Sequence, residues 1–185
     1  MAQQFQLPPQ RRNWTEIESL FARVALAKRG PVEDSTYRGQ YAEYLLATNR
    51  AEEAVKSLEA ATQQDDRKVA ATWLNLAALL ERLNRRADAM KALDLGMAGN
   101  AAGDHASLRI AKAQLLINDG KGQAARETLS RDLPSLPIVE HPELYRALGN
   151  LLRGLGDLEG ARNSYVEWAR LAPESVEPIQ ALLNF

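Results

Sequence analysis

The feature that most constrains this chain is a residue pattern that recurs four times at nearly constant separation. Its clearest copy contains Gly149, a turn at Gly156, Ala161 five residues later and Tyr165 four residues beyond that. The alanines that follow the turn stand at positions 54, 89, 125 and 161, so the copies are 35, 36 and 36 residues apart. A unit of this length cannot bury its apolar face alone and has to stack on its neighbours. The sequence therefore predicts a repeat array.

Each copy has the composition of two helices joined by a short turn. The most regular copies contain Tyr145, Gly149, Ala161, Tyr165 and Pro173, and Trp73, Ala77, Ala89 and Leu93. These residues resemble the tetratricopeptide repeat (TPR), a helix–turn–helix unit of about 34 residues. The resemblance extends over residues 35–173. It implies an all-α fold, a right-handed α-solenoid of about four TPR repeats with a flanking helix at each end.

Breaks in the pattern divide the chain into a linker and one array. Residues 1–12 are rich in glutamine and include two prolines, so we expect a flexible N-terminal linker. Residues 13–185 are expected to form a single TPR array, with repeats at 35–69, 70–105, 106–141 and 142–173 and flanking helices at 13–29 and 174–183. The predicted A and B helices of the repeats are 35–48 and 51–63, 67–83 and 86–98, 104–118 and 121–133, and 142–154 and 157–171.

Three prolines interrupt the period between the third and fourth repeats. Pro134 cannot donate an interior backbone hydrogen bond and clashes with the preceding turn, so the third B helix should stop by Leu133. The segment 133–141 is then either a flexible connection or a connection held in place by its apolar residues. Those residues are Leu133, Leu136, Ile138 and Val139.

The composition of the sequence limits the partners and the cellular environment expected for the array. The net charge is −1 and the basic residues are scattered, so the sequence offers no concentrated basic surface for nucleic acid. No apolar run reaches the length of a membrane span, and the N-terminus lacks the apolar core of a signal peptide. Abundant alanine, and more arginine than lysine, are typical of GC-rich bacteria. We therefore expect a soluble segment of the bacterial cytoplasm or periplasm, without membrane insertion.

The sequence contains no arrangement of residues that indicates catalysis. There is no cysteine, and the two histidines, His105 and His141, precede equivalent A helices one repeat apart. Equivalent positions in stacked helices are separated by at least about 8–10 Å, too far to share one metal ion. We therefore predict no catalytic residues, no metal site and no cofactor, and we expect that the chain is not an enzyme.

The resemblance also implies where a partner binds. In TPR arrays the A helices line a concave groove that holds an extended peptide or a helix of another protein. The positions that match the binding positions of the family include Gln40, Glu43, Leu74, Asn75, Ala78, Ile110, Gln114, Arg146, Asn150 and Arg153. Side-chain amides such as those of Asn75 and Gln114 can pair with both the donor and the acceptor of a peptide backbone.

Trp168 departs from the family pattern, which has a small residue at this position of the B helix. One interpretation is that the indole packs beneath the C-terminal helix, against Ile179 and Leu182. The other is that Trp168 is an exposed aromatic anchor for a partner, because tryptophan is enriched among the residues that dominate binding energy at interfaces.

The function that the resemblance implies is protein–protein interaction. The favoured hypothesis is a non-enzymatic adaptor that binds a peptide or helix of a partner in its concave groove, within a bacterial multiprotein assembly. Two alternatives stay open: an architectural or self-associating TPR module, and a regulatory domain of a larger enzyme or envelope protein. Nothing in the sequence indicates an oligomer.

Overall fold

The computed structural model describes residues 13–25, 29–63, 69–99 and 105–184, and it shows ten α-helices there. In chain order they are α1 (Trp14–Ala25), α2 (Pro31–Ala47), α3 (Ala51–Thr62), α4 (Ala70–Arg82), α5 (Arg86–Gly99), α6 (His105–Asn118), α7 (Gly122–Ser130), α8 (His141–Gly154), α9 (Leu158–Leu171) and α10 (Glu177–Leu183). Two short 3₁₀ helices, Leu133–Ser135 and Ile138–Glu140, lie between α7 and α8. In these parts of the chain, no helix combines the length and the hydropathy that crossing a bilayer requires. The predicted linker, residues 1–12, lies outside the described residues.

Helices α2 to α9 form four pairs that stack side by side. Each pair has an A helix and a B helix; the A helices are α2, α4, α6 and α8, and the B helices are α3, α5, α7 and α9. Each A helix packs on its own B helix, on the next A helix and on the B helix of the preceding pair where there is one. The main contacts of the B helices are with A helices, so the A helices lie on the inner side of the stack. We call the surface formed by the A helices the A wall, and that formed by the B helices the B wall.

The bounds of α1, α2 and α10 differ from the predicted bounds. α2 begins at Pro31 and not near residue 35, and Gly30 N–H donates to Glu33 Oε2 at 3.3 Å just before it. Proline suits the first helical position because an N–H there would have no intrahelical partner. The first flanking helix ends before Arg29, and the last one begins at Glu177. Both flanking helices are therefore shorter than predicted.

The four A–B turns share one backbone geometry. One residue of each turn lies in the left-handed region: Asn49 (φ 61°), Asn84 (φ 59°), Gly120 (φ 72°) and Gly156 (φ 81°). The next residue donates its N–H to a carbonyl five positions back, as Arg50 does to Leu45 at 2.8 Å. This arrangement satisfies a free carbonyl at the end of the helix, and glycine and asparagine adopt it most easily. The turn residues therefore repeat with the same period as the alanines.

Ion pairs link consecutive units along the edge of the stack where these turns lie, which we call the turn edge. The pairs are Glu18–Arg50 (3.7 Å), Glu52–Arg85 (3.8 Å), Arg86–Asp119 (2.7 Å) and Arg126–Asp157 (3.4 Å). Each pair has at least one exposed partner, and ion pairs at the surface contribute on the order of 0–1 kcal/mol each to stability. In chain order, the acid precedes the arginine in the first two pairs and follows it in the last two.

The buried apolar side chains form two clusters that meet at α6. The first cluster joins α1 to α5 and includes Leu108 and Leu115 of α6. The second joins α6 to α9 and includes Ala113 and Leu116 of the same helix. α6 therefore packs into both halves of the array, with different residues in each.

An aromatic cluster holds α1 on α2. The centroid of the Phe21 ring lies 5.7, 5.2 and 5.4 Å from those of Tyr37, Tyr41 and Tyr44. The Tyr37 hydroxyl also donates to the Phe21 carbonyl at 3.2 Å. Burial raises the pKa of the Tyr37 and Tyr44 hydroxyls above their ordinary value of 10.0, because it disfavours the charged phenolate.

The connection between the third and fourth repeats is folded into 3₁₀ turns. α7 ends before Asp132, whose backbone lies in the left-handed region (φ 50°), and this end falls within the predicted limit. Leu133 is buried and Leu136 packs against the second cluster, but Ile138 and Val139 are 74% and 80% exposed. Two of the four apolar residues thus fill the gap between the repeats, and two do not.

Two polar contacts tie this connection in place. The carboxylate of Glu140, a buried residue, accepts a hydrogen bond at 2.7 Å from the N–H of Ala106, in the first turn of α6. His141 Nε2 contacts the Leu136 carbonyl at 3.0 Å. These contacts favour the held connection over the flexible one.

Candidate partner-binding groove

The predicted groove residues all lie on the A wall. They are Gln40 and Glu43 on α2, Leu74, Asn75 and Ala78 on α4, Ile110 and Gln114 on α6, and Arg146, Asn150 and Arg153 on α8. Leu74, Asn75 and Ile110 are half-buried, and the others are exposed. The structure divides this set into two groups, according to what the side chains contact.

In the first two repeats, polar groups of the A wall bind one another. Asn75 Nδ2 donates to the Ser35 carbonyl at 3.1 Å, and a Cβ atom at Gly39 would lie 2.8 Å from the same nitrogen. The Glu43 carboxylate pairs with the Arg82 guanidinium. Asn75 therefore joins α2 to α4 through its amide nitrogen, and its role in binding a peptide stays a prediction.

A second set of polar contacts crosses from α4 to α6. Asn118 Nδ2 donates to Glu81 Oε1 at 3.3 Å. Gln114 Nε2 in turn donates to Asn118 Oδ1 at 3.0 Å. This chain of contacts places the Gln114 side chain at the edge of the next junction, between the third and fourth repeats.

A cleft of about 480 Å³ lies on the A wall between α6 and α8. Ile110, Ile117, Ala147, Leu151 and Leu155 provide most of its apolar lining, and α7 contributes through Gly122 and Leu129. Four predicted groove residues line this one cleft: Ile110, Gln114, Arg146 and Asn150. The structure thus brings together four of the five predicted residues of the last two repeats, whereas Arg153 and the predicted residues of the first two repeats are not part of this cleft.

Leu155 is a residue of the cleft that the sequence pattern does not predict. It directly follows α8, is 51% exposed and approaches α7 so closely that a Cβ atom at Gly122 would lie 2.6 Å from its Cδ2. The equivalent turn position is Thr48, Leu83 and Asp119 in the other copies, so an apolar residue at this position does not by itself indicate the cleft.

The polar groups of α8 differ in how they are held. Asn150 Oδ1 accepts a hydrogen bond from the buried Tyr165 hydroxyl at 2.7 Å, which fixes the amide relative to the core. Arg146 and Arg153 are exposed, and within the described residues neither forms an ion pair. They lie seven residues apart on one helix, which corresponds to about 10 Å along its axis.

Clefts of similar size on the B wall have a different lining. One of about 490 Å³ lies between α3 and α5, and one of about 480 Å³ lies among α5, α6 and α7. Charged residues of both signs line each of them, including Lys56 and Glu59 in the first and Asp94 and Lys112 in the second. In the second cleft Lys112 Nζ already pairs with Asp94 Oδ1 at 2.6 Å. The cleft between α6 and α8 is distinguished by its apolar lining.

Trp168 is a core residue and not an exposed anchor. Its side chain is 7% exposed and belongs to the second cluster together with Tyr165, whose ring centroid is 6.4 Å away. Leu182 of α10 packs against this cluster, as the first interpretation predicts, whereas Ile179 is exposed. The large indole fits here because α10 covers the position where a further repeat would stack.

The similarity of this chain to known proteins lies in its structure. No protein-family model and no curated protein matches the sequence. TTC0263, a thermophilic TPR protein of Thermus thermophilus, is similar with a TM-score of 0.58 and 19% identity, over 92% of this chain and 91% of that chain. BtubC (BKLC) from P. vanneervenii is similar with a TM-score of 0.58 and 17% identity, over 88% of this chain and 74% of that chain. The chain therefore has a TPR-type fold, an all-α solenoid of helix–turn–helix repeats.

Proposed function

We propose that this chain is a non-enzymatic interaction module that binds a segment of a partner protein in the cleft between α6 and α8. The observation that carries the proposal is the apolar lining of the cleft, where Ile117 and Leu155 stay exposed on the A wall. Concave apolar surface with a few polar groups around it is typical of binding sites, because covering it removes apolar area from water. Such binding fits the expected place of the chain in a bacterial multiprotein assembly.

The lining of the cleft supports binding rather than catalysis. Arg146 is the ionisable residue among the side chains that line it. An arginine stays protonated in proteins, so it cannot act there as a general acid or base. Gln114 and Asn150 offer amides at the edge of the cleft, and amides suit a peptide backbone.

An architectural role is the second candidate, because the C-terminal end of the stack carries exposed apolar residues. Ile179 and Leu183 are exposed at helical spacing on one side of α10, and the exposed Val176 directly precedes this helix. An apolar stripe of this kind can take part in association between chains.

Replacement of Ile117 tests the proposed function. Random peptides displayed on phage are selected on the intact chain, and the enriched peptides are synthesised. We expect Ile117→Gln to weaken their binding about tenfold, because losing one buried apolar contact costs roughly 1–2 kcal/mol. Fluorescence anisotropy of labelled peptides measures the change in affinity.

Val166→Gln is the matched control for this experiment. Val166 is β-branched like Ile117, lies in α9 away from the cleft, and is 41% exposed against 38% for Ile117. Peptide binding should be unchanged in the control, and circular dichroism should show the parent helicity in both variants. If no peptide is enriched, or if both variants bind as the parent does, the cleft is not the binding site and the architectural role is favoured.

A further inference from the structure

The cleft has an excess of positive charge on its α8 side. Arg146 lines the cleft, and Arg153 lies two turns further along the same helix. Neither guanidinium pairs with a carboxylate among the described residues. The remaining lining is neutral, since it consists of apolar residues, glycines and the amides of Gln114 and Asn150.

Several other arginines of the stack are paired with carboxylates of the chain itself. On the A wall of the second repeat, Arg82 pairs with Glu43 of the first repeat. On the turn edge, Arg86 pairs with Asp119 at 2.7 Å. The two arginines of α8 thus differ from these, and they stand beside the apolar cleft.

We propose that the cleft takes an acidic peptide segment, in which a large apolar side chain enters the cleft and flanking carboxylates bind Arg146 and Arg153. This inference rests on the proposed function and adds the chemistry of the occupant. Contacts between arginine and carboxylate are charge-assisted and can be bidentate, so they orient the peptide as well as bind it.

The spacing of the two arginines limits the spacing of acidic residues in a bound peptide. Their separation of about 10 Å along α8 is close to three residues of polyproline II chain at about 3.1 Å each, a conformation in which side chains three positions apart lie on one face. Two acidic residues three positions apart, with an apolar residue between them, match this spacing. Glu143 lies one turn before Arg146 and is exposed, so its charge repels a carboxylate placed nearer the start of α8. The acidic residues of the peptide therefore extend from Arg146 toward Arg153.

The charge of the selected peptides tests this inference. The same phage library is selected on the intact chain and on the double variant Arg146→Glu, Arg153→Glu. We expect the parent chain to enrich peptides with acidic residues around an apolar one, and the variant to lose them. Synthesised acidic peptides should bind the variant about tenfold more weakly or worse, equivalent to about 1.4 kcal/mol. Added salt should weaken their binding to the parent chain.

The matched control has the same change in net charge at a distance from the cleft. Arg23→Glu, Arg162→Glu alters two exposed arginines, in α1 and α9, and should leave peptide binding unchanged. Acidic peptides that bind both double variants equally, or enriched peptides without acidic residues, would overturn the inference. The proposed function survives these outcomes if Ile117→Gln still weakens binding. It fails together with the inference if Ile117→Gln has no effect.

Discussion

The lack of a side chain at Gly149 links the packing of the fourth repeat to the cleft between α6 and α8. A Cβ atom at this position would lie 2.5 Å from Tyr165 Cε1, so α8 and α9 can approach this closely only over a glycine. The Tyr165 ring is fully buried, and its hydroxyl holds the Asn150 amide at 2.7 Å. Packing in the core therefore positions a polar group of the cleft.

Gly149→Ala should destabilise the chain by about 1–3 kcal/mol, because the added methyl group overpacks the contact with Tyr165. Urea denaturation followed by circular dichroism measures the free energy of unfolding. Gly154→Ala is the control in the same helix, since a Cβ atom there meets nothing within 4 Å. It should be neutral or stabilise by up to about 1 kcal/mol. Equal destabilisation in both variants would contradict the argument from close packing.

Packing contacts could be predicted at the residue scale, but contacts to the backbone could not. Gly149 and Tyr165 occupy signature positions of the repeat, and in the structure they lie against each other. Asn75 instead bonds the backbone carbonyl of Ser35, 40 residues earlier in the chain. A pattern of residue types does not show which carbonyl a side chain reaches. Leu155 lines the cleft only because two repeats stack, so its role depends on tertiary geometry.

The connection before α8 holds the two helices that flank the cleft. Glu140 lies at the end of this connection, and its carboxylate accepts the Ala106 N–H in the first turn of α6. That turn has free N–H groups and the positive end of the helix dipole, both of which favour a carboxylate. Glu140 therefore caps α6 from the following repeat and fixes the position of α8 relative to it.

Glu140→Ala should lower the free energy of unfolding by about 1–3 kcal/mol, because it leaves the N–H of Ala106, a buried residue, without its partner. Hydrogen exchange should also become faster through 133–141. The control is Glu143→Ala, which removes an exposed carboxylate three residues later and should change stability by less than about 0.5 kcal/mol. Unchanged exchange in Glu140→Ala would show that this hydrogen bond does not hold the connection.

The sequence predicts where elements end better than it predicts the irregular chain between them. Pro134 limits the third B helix, and α7 does end before it. The 3₁₀ turns that follow have too few residues to show a periodicity. The contact of Glu140 joins residues 34 positions apart, so no local signal indicates it.

The period of the sequence predicts the all-α solenoid of the whole molecule, which the structure confirms. It does not predict that the core consists of two clusters. That division arises at α6, where Leu108 and Leu115 pack into one half while Ala113 and Leu116 pack into the other. Equal repeats in the sequence thus give unequal contacts in the structure.

Deletion of residues 177–185 should destabilise the chain and promote its association. The deletion removes Leu182 from the second cluster and exposes the Trp168 side chain to solvent. Exposed apolar surface of this kind promotes association between chains. Sedimentation velocity and thermal unfolding measure the two effects. A shortened chain that stays monomeric and equally stable would show that α10 does not protect the end of the stack.

A variant of the intact chain separates this effect from the architectural role. Ile179→Ser, Leu183→Ser removes exposed apolar side chains of α10 while leaving Leu182 in place on the second cluster. If the parent chain associates and this variant does not, the exposed side of α10 is an interface between chains. If both are monomers, α10 acts as an end cap alone.

The order of charges along the turn edge bears on the fidelity of assembly. Neighbouring units bring opposite charges together, but a stack in which the fourth repeat directly followed the first would set Glu52 against Asp157, which occupies the turn position of Arg85. Juxtaposed like charges disfavour a wrong pairing even where the correct ion pairs add little stability. Repeat proteins are prone to misassembly, because units from another copy can replace the proper neighbour during folding. The reversal of charge order along the turn edge therefore disfavours the joining of the first repeat of one chain to the fourth repeat of another.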